Sequence, residues 1–292
     1  MDSRVHARFY RVSKPHGEAL DLPEILLGEA KQGKPGARER DIGGGIVARL
    51  EHCSEEKDAI EGEFCRVQTQ NIPPQTGPDG LLPIKLEAGG IGHVAAFRYH
   101  RPTRVLLLQQ NVNSLTSARL ALFLASAKPD RIFTFTPVLA EDAMDRFKQK
   151  KPRGFSVTFA GLENLEALDY ADIAVAKGAR LIAEAYDGIR VKVEVSVGRS
   201  RKKWLGKDSI LTALGKLVDA EGVKNLKVKA EENGDDDLIN FLKEQLQGED
   251  ILELPEGDPA ANYTRRQLFL RKVFSDNIGF LVKQFGKNGH AS

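Results

Sequence analysis

Residues 188–197, GIRVKVEVSV, place an aliphatic side chain at every second position. Ile189, Val191, Val193, Val195 and Val197 alternate with Arg190, Lys192, Glu194 and Ser196. A period of two sends the two sets to opposite faces of a strand, so a chain carrying this segment builds a sheet with one face in a core and one face open. NLKVKA repeats the pattern, with Leu226 and Val228 facing inward and Lys227 and Lys229 outward. If the two strands lie in one sheet, the open face of that sheet is cationic.

Around these strands the second half alternates. The pattern predicts a strand over Gly154–Ala160, a helix over Ala171–Tyr186, a helix from Asp208 or Ser209 to about Val218, and a strand over Lys224–Ala230. A helix over Asp235–Gln247, with an acidic first turn suited to its dipole, and a short strand over Asp250–Leu254 follow. The first half mixes strands (Val5–Ser13, Ile42–His52, Glu63–Gln70, the hairpin GHVAAFRYHRPTRVLLLQQN, Arg131–Val138) with three helices. The first of these opens at Asp21 with Pro23 in its first turn, the second is NSLTSARLALFLASA capped by Asn113 or Ser114, and the third is Glu141–Lys150. Asn71–Pro83, rich in Pro and Gly, reads as a connecting loop, and PEGDP at 255–259 as a linker. The expected fold is therefore α+β. A mixed-sheet N-terminal domain over 1–150 is completed by C-terminal helices over 258–292 that pack back on it. A smaller alternating β/α, swivel-like domain occupies 151–257.

Of the 292 residues, 41% are hydrophobic and 29% charged, enough apolar matter for a core and too much for wholesale disorder. No apolar run reaches the roughly 18 to 20 residues of a spanning helix. The opening MDSRVHARFY carries charges where a secretion signal has an apolar stretch. Cys53 and Cys65 have no paired-ligand spacing around them, so neither a disulfide framework nor a zinc site is expected. The expected setting is the cytoplasm, without metal or cofactor.

Net charge is only +2, but its distribution is segregated: +7 over residues 188–229, −10 over 230–260 and +5 over 261–292. Grouped cations create a local field that attracts a polyanion even when the total is near zero. The loop Gly198–Lys207 adds Arg199, Arg201, Lys202, Lys203 and Lys207 to the four strand cations Arg190, Lys192, Lys227 and Lys229, and it carries the only tryptophan, Trp204. Nine candidate phosphate contacts result. With no helix-turn-helix, zinc finger or aromatic RNP-like strand beside them, they imply sequence-tolerant backbone binding to DNA, with duplex the expected form. Competing readings are ordinary solvated surface, an acidic protein partner, and a protein-interaction module whose basic and acidic blocks bind each other across a dimer.

Catalytic signals are thin, and no enzyme is expected. Gly43-Gly44-Gly45 precedes a β-like run and lacks a Lys-Ser/Thr sequel, which suits a turn better than a phosphate cradle. His52-Cys53 with Cys65 leaves a cysteine-dependent hydrolase as a minor alternative. His93 and His100, seven apart on one strand, fall on opposite faces. Asp235, Asp236 and Asp237 are read as helix-dipole partners, not metal ligands. Arg265, Arg266, Arg271 and Lys272 are read as solvated cations of a C-terminal helix.

The order of these features resembles the RexA-like phage exclusion proteins of lambdoid prophages. The likeness lies in GGIGHVAAFRYHRPTRV followed by SLTSARLALFLA, in RIFTFTPVL, in GIRVKVEV and in NLKVKAEENGDDDLINFL. It is diffuse and spans most of the chain. It implies a two-domain homodimer with swivelling domains and non-specific DNA binding. It also implies a part in superinfection immunity by abortive infection beside a membrane effector, with no small-molecule substrate. Residue by residue, it carries over to Lys227 and Lys229, while the loop from Arg199 to Lys207 is richer in cations than the family pattern.

Overall fold

The computed structural model describes residues 2–14, 21–86, 89–111, 113–128, 133–160, 174–185, 190–198, 200, 203–217, 223–232 and 235–286. Along the first half run β1 (Asp2–Ser13), α1 (Leu22–Ala30), β2 (Arg40–Asp41), β3 (Val47–Glu55), β4 (Ala59–Gln68), β5 (Gln75–Gly77), β6 (Gly80–Leu82), β7 (Ile91–His100), β8 (Val105–Gln110), α2 (Ser117–Ala127), β9 (Thr134–Pro137) and α3 (Glu141–Gln149). The second half continues with β10 (Lys151–Ala160), α4 (Ala174–Ala185), β11 (Arg190–Ser196), α5 (Lys207–Leu217), β12 (Val223–Glu232), β13 (Asp235–Asn240), β14 (Gln247–Glu253) and α6 (Pro259–Phe285). The α+β class is as the alternation predicts.

The larger sheet is antiparallel, in the order β14-β1-β8-β7-β4-β3-β2, with β9 sharing the edge of β1 beyond β14. Strand parity sorts its side chains onto two covered faces. Tyr10 and Val12 of β1, Leu106 and Leu108 of β8, and Phe97 and Tyr99 of β7 meet Leu22, Leu26, Phe123 and Leu124 of α1 and α2. Val5, Ala7, Phe9, Ala96, Val105 and Leu107 take the opposite face, against Phe269, Leu270, Val273 and Phe274 of α6. α6 is a single helix of 27 residues, opened by Asp258, whose carboxylate accepts the Ala261 N–H at 2.9 Å.

The smaller sheet, β11-β10-β12-β13, is also antiparallel. Its inner face, Phe155, Val157, Phe159, Leu226, Val228 and Ile239, is buried in the same apolar cluster as α1 and α2. Phe147 of α3 meets Phe241 edge-on at 5.5 Å and helps to join the two sheets.

Four local expectations are corrected. Residues 235–240 form β13 and not the start of a helix over 235–247. The register from Lys227↔Asn240 to Glu232↔Asp235 pairs it with β12, and this pairing buries Ile239 in the core. The strand expected at 250–254 belongs to β14, which pairs with β1 across seven residue pairs in the larger sheet. Within the expected loop 71–83, β5 and β6 form a short hairpin that leaves Leu81 and Leu82 exposed, as are Ile84 and Leu86 just after it. The cap of α2 is Thr116, whose hydroxyl accepts the Arg119 N–H, while Ser114 donates to the His93 carbonyl. Gly43, Gly44 and Gly45 all have positive φ where β2 turns into β3, a conformation glycine adopts without a Cβ penalty.

Candidate nucleic-acid interface

The four strand cations do share a face. β10 lies between β11 and β12, with Thr158 opposite both Lys192 and Asn225, Ser156 opposite both Glu194 and Lys227, and Gly154 opposite both Ser196 and Lys229. Arg190, Lys192, Lys227 and Lys229 therefore project from one side of the sheet, the side away from Phe155, Val157 and Phe159. Arg190, Lys192 and Lys229 are exposed and Lys227 is half-buried. Strands sit about 4.8 Å apart, so the β11 and β12 cations stand roughly 10 Å from each other across β10, where Ser156 is half-buried and Gly154 and Thr158 are buried.

A fifth cation, absent from the sequence reading, joins them. Simple alternation from Gly154 puts Lys151 on the buried side with Phe155. The register shifts between Pro152 and Gly154, so Arg153 is an extra bulged residue and Lys151 pairs with Glu231 on the open side. The signal that marks this bulge is Pro152, since proline in a central strand is confined to bulges and strand ends.

Lys151 leads to the tryptophan. Its ammonium lies 4.1 Å from the centre of the Trp204 ring. The Leu205 N–H donates to the Pro152 carbonyl at 2.8 Å, which ties this stretch to the start of β10. Trp204 is 49% exposed, so it is not the buried anchor that a lone tryptophan usually makes. Lys203 is exposed beside it. Lys207 points elsewhere: it donates to the Lys148 carbonyl at the end of α3 and sits over the Phe147 ring. Arg199, Arg201 and Lys202 lie outside the described residues.

Among the residues whose side chains are described, Glu194 and Glu231 are the anions of β11 and β12 on the open face, each with a neighbour. Glu194 pairs with Lys192 at 3.1 Å between exposed side chains, an interaction of little worth in water. Glu231 pairs with Arg153 at 2.9 Å. Elsewhere the acidic run finds cations outside 188–229. Asp237 pairs with Arg146 at 3.0 Å and Lys150 at 3.3 Å, Glu244 with Arg146, Asp250 with Lys272 and Glu253 with Arg265. Burial works to raise the Asp237 carboxyl, but the hydrogen bond from Lys150 and the charges of Arg146 and Lys150 outweigh it and hold it below its ordinary value. Asp237 thus belongs to an ion-pair network on a strand, which replaces the helix-dipole reading of this cluster.

The C-terminal cations are the larger surprise. Parity on β4 turns Glu61 and Glu63 toward α6, where both are buried. Arg266, itself 6% exposed, donates to Glu63 at 2.8 Å, and Arg271 donates to Glu61 at 3.0 Å, with Arg98 of β7 also paired to Glu61. These arginines fasten α6 to the sheet instead of coating it.

The cysteines lack the setting of a nucleophile. Cys65 is buried and Cys53 half-buried, and burial pushes both thiols up to about 11, against the smaller lowering effects of Arg38 at Cys53 and Arg49 at Cys65. His52 packs against Tyr263 with ring centres 4.5 Å apart. At pH 8 only about one thiol in a thousand is then ionised. Iodoacetamide modification is expected to be slow there and to quicken roughly tenfold per pH unit toward 11, as followed by mass spectrometry. Rapid labelling at pH 7 would restore the cysteine-dependent alternative.

Other concavities lie apart from the cationic face. A cleft of about 430 Å³ is lined by Glu24, Glu55, Tyr99, Arg101 and Arg104, and its Arg101 and Glu55 pair with each other. Among the described residues, no group of three or more His, Cys, Asp or Glu is placed to hold a metal ion, and no helix is long and apolar enough to cross a membrane. A family model described as a family of unknown function (DUF6731) matches residues 16–264, which takes in the whole smaller sheet. No curated protein matches the chain.

Proposed function

The chain belongs to the family of unknown function DUF6731, and from that premise we propose that it binds nucleic acid without sequence specificity, by electrostatic attraction to the phosphate backbone. The observation that carries this reading is the cationic open face of the smaller sheet. Arg190, Lys192, Lys227 and Lys229 project from it together, and Lys151 is added by the bulge at Arg153. Cations gathered on one face gain affinity by releasing counterions condensed on a polyanion, and they need no base-edge contacts to do so. The ion pairs of Asp237, Glu244, Asp250 and Glu253 with α3 and α6 favour this reading over association of the acidic and basic blocks across a dimer, because those carboxylates are engaged within the chain. The resemblance to RexA-like proteins suggests the setting: a DNA-binding homodimer of a phage exclusion system, acting beside a membrane effector.

The test is binding of a fluorescent duplex of arbitrary sequence over a salt series. For five phosphates contacted, the logarithm of affinity is expected to fall against log salt with a slope of roughly −4 to −5. Lys227→Ala/Lys229→Ala is expected to weaken binding at every sequence and to flatten the slope by about two. A slope unchanged in the double variant, or salt-sensitive self-association without any DNA binding, overturns the assignment of this face.

A further inference from the structure

We propose that the cationic face takes an unpaired strand in preference to a duplex, with Trp204 as the surface on which one exposed base stacks. This rests on the nucleic-acid reading above and specifies which form of the polymer the site receives.

Three observations converge on it. The indole is 49% exposed and yet is held in place, because the neighbouring Leu205 N–H is bonded to the Pro152 carbonyl of β10. It adjoins the cationic face directly, through the Lys151 ammonium 4.1 Å from its ring centre. Lys151 itself stands on the side of the sheet that carries Lys227 and Lys229, because of the bulge that shifts the register at Arg153. An aromatic surface at the end of a row of cations is the pairing that single-strand grooves use: the cations follow the phosphates and the ring receives a base. A duplex keeps its bases stacked inside and offers the indole nothing, so duplex gains only from the cations. An acidic protein partner would likewise be served by the cations alone. Lys151 has two parts here, since its charge holds the ring in the free protein and lies within reach of the phosphate belonging to a base stacked there.

Trp204 is the only tryptophan in the chain, so intrinsic fluorescence reports this position alone. The experiment titrates the full chain with a fluorescein-labelled oligo-dT and with a labelled duplex of equal length. Anisotropy reads binding and tryptophan emission reads stacking. Oligo-dT is expected to bind about tenfold more tightly than duplex at equal salt, quenching the emission, while duplex binds with little quenching. Trp204→Ala is expected to lose about tenfold for oligo-dT and almost nothing for duplex, and Trp204→Phe, which keeps an aromatic face, to recover most of the loss. Oligo-dT binding without quenching, or an unchanged preference in Trp204→Ala, overturns this inference and leaves the backbone-binding reading standing. Absence of binding to both probes at low salt overturns that reading as well.

Discussion

Replacing Arg266 with alanine is expected to cost about 3 to 5 kcal/mol of stability, read as a fall in the urea midpoint with little change in slope. The physical reason is the carboxylate left behind. Glu63 is 3% exposed under α6, and Arg266 donates to it at 2.8 Å. Burial already raises the Glu63 carboxyl above its ordinary value, with the charge and hydrogen bond of Arg266 offsetting part of that rise. Removing the arginine removes the offset. The folded protein then holds a proton that the unfolded chain has released, so stability falls as pH rises through that interval. The loss is therefore expected to be largest near neutrality and to shrink below about pH 4, where Glu63 is protonated in both states. Arg266→Met combined with Glu63→Leu removes both charges and is expected to lie close to the native chain. A single variant as stable as the native protein at pH 7 would show that water reaches Glu63.

Gly62→Ala is expected to be nearly as damaging, by roughly 3 kcal/mol, for a reason with no electrostatics in it. Gly62 lies in the middle of β4 and faces Phe97 of β7. A Cβ there would come within 2.6 Å of the Phe97 ring and closer still to the His52 carbonyl oxygen, which is backbone and has no rotamer to change. Glycine inside a strand marks such close approaches. Gly178→Ala is the contrast. It lies in helix α4 with nothing within 4 Å of an added Cβ, so the same substitution is expected to stabilise by about 0.5 to 1 kcal/mol. Parallel urea curves of the two variants separate close contact from intrinsic propensity. Equal destabilisation would refute the argument from space.

What the sequence disclosed, and what it concealed, follows the reach of each signal. Strand parity is local, and it correctly groups Arg190 with Lys192 and Lys227 with Lys229. The topology then supplies the adjacency that parity leaves open, by placing β10 between the two strands. Lys151 escaped because one bulged residue reverses parity, and only Pro152 hints at it. The helix expected at 235–247 failed because three consecutive Asp residues suit the first turn of a helix in any local window, whereas pairing with β12 decides the outcome and buries Ile239 while leaving Leu238 exposed. Arg266 and Arg271 of α6 do not read as buried partners in the sequence because their carboxylates lie about two hundred positions earlier, on β4. No window along the chain contains both members of such a pair.

The place of β14 bears on how the protein is made. Its pairing of Asp2 with Glu253 joins two strands some 250 positions apart, and α6, which seals that face, follows it. On a ribosome, residues 151–240 emerge whole before the Asp2–Arg8 part of the β1 edge can be filled, so the cationic sheet is positioned to fold while the older half still waits with Val5, Ala7 and Phe9 uncovered. Pairings this distant in sequence form slowly. The nascent chain therefore depends on β14 and α6 to hide apolar surface of β1 that has left the ribosome more than two hundred residues earlier.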